Sequence, residues 1–156
     1  MTPTVKSLPS YIKDSNQALS FSFTFIFPGE NKMIFTMDIM SLYTVIPNSE
    51  GLQALKYFFN QRAIKKTELG NLTPSSWTGD NYYKQINGFA METKVGPSYA
   101  NLFVGFMENK FFSNYHGPKP DLYKRYLDDC VGATSSSREE LNQFINSVNS
   151  FHTALK

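Results

Sequence analysis

The sequence predicts an α+β domain in which helices pack on one face of an antiparallel sheet. Short apolar segments bounded by turn residues predict strands, and longer segments with apolar residues three and four positions apart predict helices. They follow one another as strand, helix, loop, helix, hairpin, helix, the order of an α+β fold. The chain has 156 residues, 41% of them apolar and 15% aromatic, so it can bury a core of its own.

The first part of the chain is predicted to be irregular and then to form strands. Residues 1–17 are polar, and phenylalanine alternates with other residues over 21–27, which is strand spacing. The turn signal Pro-Gly-Glu-Asn at 28–31 separates this strand from a second, largely apolar one at 32–39. The second strand therefore carries one acid, Asp38, near its end.

A helix and a loop are predicted next. Asn48 or Ser49 can cap the helix, which we expect to end near Lys66. The polar segment 67–81 contains glycine and proline and predicts a loop, and 82–86 predicts a short strand.

The second half predicts a helix, a hairpin and a final helix. Pro97 suits the first position of a helix, where its missing N–H costs nothing. Two short strands, 122–127 and 130–134, predict a tight hairpin. A capping box from Ser137 to Glu140 predicts the start of the last helix.

Composition limits the classes of protein that fit. The formal net charge is only +2, too small to indicate nucleic-acid binding by itself. The single cysteine, Cys130, cannot form an internal disulfide and is predicted to be a buried small hydrophobe. The first twenty residues lack the apolar region of a signal peptide, and the longest apolar stretch, 99–107, is too short to span a membrane. We therefore expect an intracellular protein that is not secreted.

Acids occur in two places where the surrounding residues are apolar. Asp38 ends an apolar strand, and Asp128 and Asp129 lie at the tip of the predicted hairpin. A buried carboxylate is costly unless it is paired or binds a metal ion, and adjacent like charges raise that cost. Mg²⁺ would resolve both problems. An Asp-Asp pair is also common in ordinary turns, so the residues alone leave both interpretations open.

Three segments, in this order, resemble the catalytic motifs of reverse transcriptases. Residues 34–47 resemble their first catalytic motif, 88–102 their second, and Tyr-Leu-Asp-Asp at 126–129 their polymerase signature. Within that family, the residues of these three segments are most similar to those of the Penelope-like retroelement branch. The resemblance implies a partial palm domain over 27–156, preceded by an N-terminal segment, 1–26, with the fingers mostly absent and the thumb absent.

The resemblance implies a role for each matching residue. Asp38 and Asp128 would bind the catalytic Mg²⁺ or Mn²⁺ ions, and Asp129 would lie beside them with a weaker role in coordination. The backbone carbonyl of Ile39 would complete one metal shell. Tyr43 would abut the sugar of the incoming nucleotide and reject a 2′-hydroxyl.

The second motif departs from the family in one residue. Met91 and Glu92 would lie beside the nucleotide, and Glu92 stands where the family has glycine. Glycine lets a backbone approach a ligand closely, whereas a carboxylate would repel phosphates. We expect Glu92 to impair nucleotide binding. Among other polar residues, Lys124 and Arg125 are predicted to lie on a solvated strand edge, and Asn101 on a helix surface.

The implied activity is RNA-directed DNA polymerisation by two-metal-ion nucleotidyl transfer. Its partners would be an RNA template, a DNA primer and deoxynucleoside triphosphates, with no membrane, and a retroelement polymerase is expected to act near the nucleus. Two alternatives stay open: a catalytically inactive truncated retroelement relic, and a nucleic-acid-binding module that kept the palm without catalysis.

Overall fold

The computed structural model describes residues 3–61, 75–78, 81–84, 88, 93–153 and 155, and they form an α+β fold, as predicted. The helices are α1 Pro3–Lys6, α2 Ser15–Thr24, α3 Leu42–Val45, α4 Asn48–Asn60, α5 Gly96–Asn114 and α6 Arg138–Phe151. The strands are β1 Met33–Asp38, β2 Ser75–Thr78, β3 Asn81–Lys84, β4 Leu122–Tyr126 and β5 Asp129–Thr134. No helix in these ranges is long and apolar enough to cross a membrane.

The central sheet has three antiparallel strands in the order β1-β5-β4. Strands β4 and β5 are the two arms of the predicted hairpin, which is confirmed: Tyr126 pairs with Asp129, and Leu127 and Asp128 make the turn. Strand β1 lies along the other side of β5, and its last residue, Asp38, pairs with Asp129. The sheet thus joins the strand of the first motif to the hairpin of the third.

One core fills the space between the sheet and helices α5 and α6. Phe35 on β1 lies 6.2 Å from Phe144 on α6, and Phe144 lies 5.9 Å from Phe111 on α5, between ring centroids. A Cβ atom at Gly132 would overlap the ring of Phe35. Glycine on β5 therefore allows that ring to lie across the strand.

The capping box at the start of α6 is confirmed. The Ser137 hydroxyl accepts from the backbone N–H of Glu140 at 3.2 Å, and the Glu140 carboxylate accepts from the N–H of Ser137 at 2.8 Å. These bonds satisfy donors that a helix N-terminus otherwise leaves unpaired, which fixes where α6 begins beneath the sheet.

The second core surrounds the first half of α5, which is buried on nearly every side. A Cβ atom at Gly51 would overlap the hydroxyl of Tyr99, so glycine lets α4 approach α5 closely. Residues from the N-terminal region and from helices α3, α4 and α5 join this core, among them Val5, Leu8, Leu42, Ile46, Ala54, Phe58, Phe103 and Met107. The boundary between 1–26 and 27–156 stays a prediction, but residues on both sides of it share one core.

The N-terminal region differs from the sequence prediction. The strand predicted at 21–27 is wrong, because α2 runs to Thr24. Within 1–17, predicted to be irregular, Pro3–Lys6 forms α1 and α2 begins at Ser15, while 7–14 belongs to no helix or strand. The Asp14 carboxylate accepts from the backbone N–H of Gln17 at 2.9 Å and caps α2. Phe23 is 85% exposed, so the alternating phenylalanines do not mark a buried strand face.

Two further boundaries differ. Helix α4 ends at Asn60 rather than near Lys66. Within the predicted loop 67–81, Ser75–Thr78 forms β2 and pairs with β3, which overlaps the strand predicted at 82–86. Asn81, the last residue of the predicted loop, begins β3, and residues 67–74 and 79–80 lie outside the described ranges.

A short extended segment covers the outer edge of β4. Tyr11 makes a parallel bridge with Arg125. The backbone N–H of Arg125 donates to the carbonyl of Ser10 at 2.7 Å, and the N–H of Ile12 donates to the carbonyl of Arg125 at 2.9 Å. The N-terminal region thereby pairs a strand edge that would otherwise be open to other chains.

Candidate polymerase site

Two of the three candidate acids lie directly opposite each other in the sheet. Asp38 pairs with Asp129 across β1 and β5. Residues opposite each other on neighbouring strands place their side chains on the same face. Both line a groove of about 710 Å³ whose other wall is α2, including Ser15 and Leu19.

The third acid, Asp128, lies in the hairpin turn. Its backbone carbonyl accepts from the backbone N–H of Ile39 at 3.2 Å. Burial raises the pKa of Tyr43, and the negative charge of Asp128 and then the neighbouring Tyr126 raise it further. Tyr43 on α3 is therefore within electrostatic reach of the Asp128 carboxylate. The structure brings together Asp38, Ile39, Tyr43, Asp128 and Asp129.

The second motif reaches the same region through Gly88. Its backbone N–H donates to the carbonyl of Ile46 at 2.9 Å. Its φ is +76°, and a Cβ atom there would lie 2.5 Å from the carbonyl oxygen of Tyr43 and 2.7 Å from Cα of Thr44. Only glycine suits this conformation and this close approach. Met91 and Glu92, the predicted nucleotide-binding residues of this motif, lie outside the described residues.

The donor atoms at this place suit a hard cation. Mg²⁺ takes oxygen ligands and commonly uses one or two carboxylates together with waters and phosphates. Asp38, Asp128, Asp129 and the backbone carbonyl of Ile39 are all oxygen donors. Among the described residues, no group of three or more His, Cys, Asp or Glu side chains could hold a metal ion. The oxygen donors are of the type that Mg²⁺ takes, but within the described part of the chain the acidic side chains are not gathered into a three-ligand site, so the metal-binding roles stay predictions.

Sequence reasoning missed a buried polar cluster directly behind the turn. Arg125 on β4 is 0% exposed. Its Nε atom donates to the Glu108 carboxylate at 2.8 Å, and one terminal nitrogen donates to the Asn101 side-chain oxygen at 3.0 Å and to the Leu127 carbonyl at 2.7 Å. The predictions of a solvated edge for Arg125 and a helix surface for Asn101 are wrong. Lys124 is half-buried, and its Nζ donates to a backbone carbonyl at 2.8 Å.

The charge of this cluster is balanced internally. Burial alone would lower the pKa of Arg125, but the charge and hydrogen bonds of Glu108 outweigh burial, so the pKa is raised. Burial, then Glu108, holds the pKa of Tyr123 well above its ordinary value. Burial raises the pKa of Cys130 to about 11. Cys130 is buried, as predicted.

One signal in the sequence could have revealed the cluster. Asn101 and Glu108 are seven positions apart, two helical turns, so they share a face of α5 with apolar neighbours. An acid on an apolar helix face calls for a buried cationic partner. Arg125, in the otherwise apolar hairpin, is that partner.

No protein-family model matches the sequence, and no curated protein sequence matches it either. Solved telomerase structures match the fold. Apo telomerase of Candida tropicalis has a TM-score of 0.67 at 11% identity, over 96% of this chain and 32% of that one. Telomerase of Candida albicans in complex with a TWJ fragment of telomeric RNA has a TM-score of 0.63 at 11% identity, over 96% and 30%. Candida tropicalis apo telomerase truncated from its C-terminal domain has a TM-score of 0.60 at 11% identity, over 94% and 35%.

These likenesses show that the chain has a reverse-transcriptase-like fold, because telomerase is a reverse transcriptase. The chain spans about a third of the length of these telomerases. At a sequence identity of 11%, the comparison supports the fold and nothing narrower. The narrower likeness to Penelope-like elements therefore stays a prediction.

Proposed function

We propose that this chain is the palm portion of an RNA-directed DNA polymerase. The observation that carries the proposal is the pairing of β1 with β5, which places Asp38 opposite Asp129 and bonds Ile39 to the Asp128 carbonyl. These residues come from two segments far apart in the sequence, and both segments resemble the catalytic motifs of one family. The reverse-transcriptase-like fold supports the same assignment.

In the proposed mechanism, Asp38, Asp128 and the carbonyl of Ile39 would hold Mg²⁺ or Mn²⁺, and Asp129 would lie beside them. Metal ions bound there would help the primer 3′-hydroxyl to attack the α-phosphate and would stabilise the leaving pyrophosphate. Tyr43 lies close to Asp128 and would contact the sugar of the deoxynucleoside triphosphate. The RNA template and DNA primer would bind beside this edge of the sheet.

Mn²⁺ binding is the first test. Calorimetry would compare the chain with an Asp38→Asn/Asp128→Asn double variant, which removes two candidate ligands at little change in shape. A Glu30→Gln/Glu139→Gln double variant is the matched control, because it removes the same charge at two exposed positions. We expect the chain and the control to bind Mn²⁺ alike and the first double variant to lose binding.

Extension of a DNA primer on an RNA template is the second test, with Mg²⁺ or Mn²⁺ present. Extension that disappears in the Asp38→Asn/Asp128→Asn variant supports the polymerase. A folded chain that binds no metal ion would instead favour the inactive relic. Salt-dependent RNA binding that survives Asp128→Asn, without extension, would favour a nucleic-acid-binding module, since phosphate contacts dominate such affinity.

A further inference from the structure

The turn that carries Asp128 has an unfavourable backbone conformation. Leu127 has a φ of +56°, in the left-handed region that leucine rarely adopts. A two-residue hairpin loop with a positive φ at its first position normally has glycine there. Leucine at 127 therefore needs contacts from outside the turn to keep the conformation.

Two hydrogen bonds hold this turn from opposite sides. On the β1 side, the Asp128 carbonyl accepts from the N–H of Ile39 at 3.2 Å. On the helix side, the Leu127 carbonyl accepts from the guanidinium of Arg125 at 2.7 Å. The Leu127 carbonyl belongs to the peptide that leads directly into Asp128, so rotation of this peptide would displace the acid.

The guanidinium is itself fixed on its other sides. The Glu108 carboxylate accepts from Arg125 Nε at 2.8 Å and from a terminal nitrogen at 3.3 Å. The Asn101 side-chain oxygen accepts from the nitrogen that also bonds Leu127, at 3.0 Å. The Ser10 hydroxyl donates to the Glu108 carboxylate at 2.6 Å, and the Tyr123 hydroxyl donates to the same carboxylate at 3.2 Å. These two bonds fix the position of the carboxylate.

We propose that Arg125 is a positioning residue for the metal site: its buried guanidinium, held by Glu108 and Asn101, fixes the Leu127 carbonyl and thereby holds Asp128 beside Asp38 and Ile39. The inference rests on the proposed function, since it assigns a role toward the metal ion that Asp128 would bind. An ion pair with a purely structural role would need only the contact between Arg125 and Glu108. Arg125 also donates to the Leu127 carbonyl, which lies in the turn that carries Asp128.

Arg125→Lys is the central variant. Lysine keeps the positive charge near Glu108, but its single ammonium cannot reproduce the planar fork that reaches Glu108 and Leu127 together. We expect its dissociation constant for Mn²⁺, measured by calorimetry, to rise about tenfold or more, as when partners that orient metal ligands are lost. In the metal-free protein, the NMR amide signals of Ile39, Asp128 and Asp129 should shift as well.

Lys124→Arg is the matched control. It makes the reverse exchange of cations at the neighbouring position, where Nζ donates to the Pro9 carbonyl and not to the turn. We expect an Mn²⁺ dissociation constant within about twofold of the unchanged chain, a free-energy change of about 0.4 kcal/mol. A second variant, Asn101→Ala, frees the guanidinium on the opposite side and should weaken Mn²⁺ binding in the same direction as Arg125→Lys.

The outcomes separate this inference from the proposed function. If the unchanged chain binds no Mn²⁺, the proposed function itself fails. If it binds, and folded Arg125→Lys binds equally well with unchanged amide signals, the positioning role is overturned while the metal site stands. If Arg125→Lys does not fold, the same comparison with Asn101→Ala decides the matter.

Discussion

The backbone N–H of Ile39 donates to the backbone carbonyl of Asp128 at 3.2 Å. This bond continues the pairing of β1 with β5 by one step beyond Asp38 and Asp129. It joins the residue that follows one candidate metal ligand to the backbone of another. The relative position of the two ligands therefore depends on main-chain pairing as well as on side chains.

Ile39→Pro should weaken metal binding, because proline has no N–H to donate to the Asp128 carbonyl. We expect at least a tenfold loss of Mn²⁺ affinity by calorimetry, comparable to the loss of other groups that orient metal ligands. Ile39→Val keeps the N–H and a similar side chain, so it should bind Mn²⁺ as the unchanged chain does. Equal affinity in both variants would show that this bond does not orient the site.

The pair of Arg125 and Glu108 should behave as a buried, coupled pair in urea unfolding. Glu108→Leu leaves the guanidinium buried without its carboxylate, and we expect a loss of about 3–5 kcal/mol in the free energy of unfolding. The double variant Arg125→Met/Glu108→Leu leaves neither charge unpaired and should lose less than the sum of the two single variants. Additive losses would mean that the two side chains do not interact.

The capping box at Ser137 should make a measurable contribution to stability. Ser137→Ala removes the hydroxyl that accepts from Glu140, and we expect a loss of about 1 kcal/mol. Ser136→Ala is the control: Ser136 uses its backbone N–H, which the change keeps, so we expect less than about 0.5 kcal/mol. Thermal unfolding of the two variants side by side gives the comparison.

Cys130 should make the fold less stable in alkali. Its thiol pKa rises from 9.0 to about 11 on folding, first because of burial. The folded chain therefore holds this proton over a pH range in which the unfolded chain releases it. The thiol's contribution to stability is full below about pH 9 and is lost by about pH 11, a change of about 3 kcal/mol.

Urea unfolding at pH 8, 9, 10 and 11 can test this linkage. Cys130→Ala should show a smaller loss of stability between pH 9 and pH 11 than the unchanged chain, whatever its stability at pH 8. The pKa of Tyr123 is also raised by burial. Because both proteins contain Tyr123, both should still lose some stability as the pH rises. Parallel pH profiles would show that the thiol does not contribute.

The elements that the sequence predicts well have local causes. The hairpin follows from two apolar runs around Asp128 and Asp129, and α6 follows from the bonds between Ser137 and Glu140, only three positions apart. The class of fold follows from the order of such elements. The approach of Asp38 to the hairpin was expected only through the family resemblance, because the residues are distant in the sequence.

The misread elements depend on contacts that a local pattern does not contain. The alternating phenylalanines around Phe23 mimic strand spacing, whereas the segment is helical because it belongs to α2, which Asp14 caps. From the sequence alone, Arg125 is predicted to be a surface residue, because the sequence does not show that Glu108 and Asn101 on α5 face it. Burial of a charge is decided by its partner, and the partner comes from tertiary structure.

The extended segment at Ser10–Ile12 has a consequence for how the protein folds. On the ribosome, Ser10 is made long before Arg125, whose backbone N–H donates to the Ser10 carbonyl. Pairings between distant residues close large loops and slow folding. The N-terminal region can therefore pair with β4 only after the hairpin has been made.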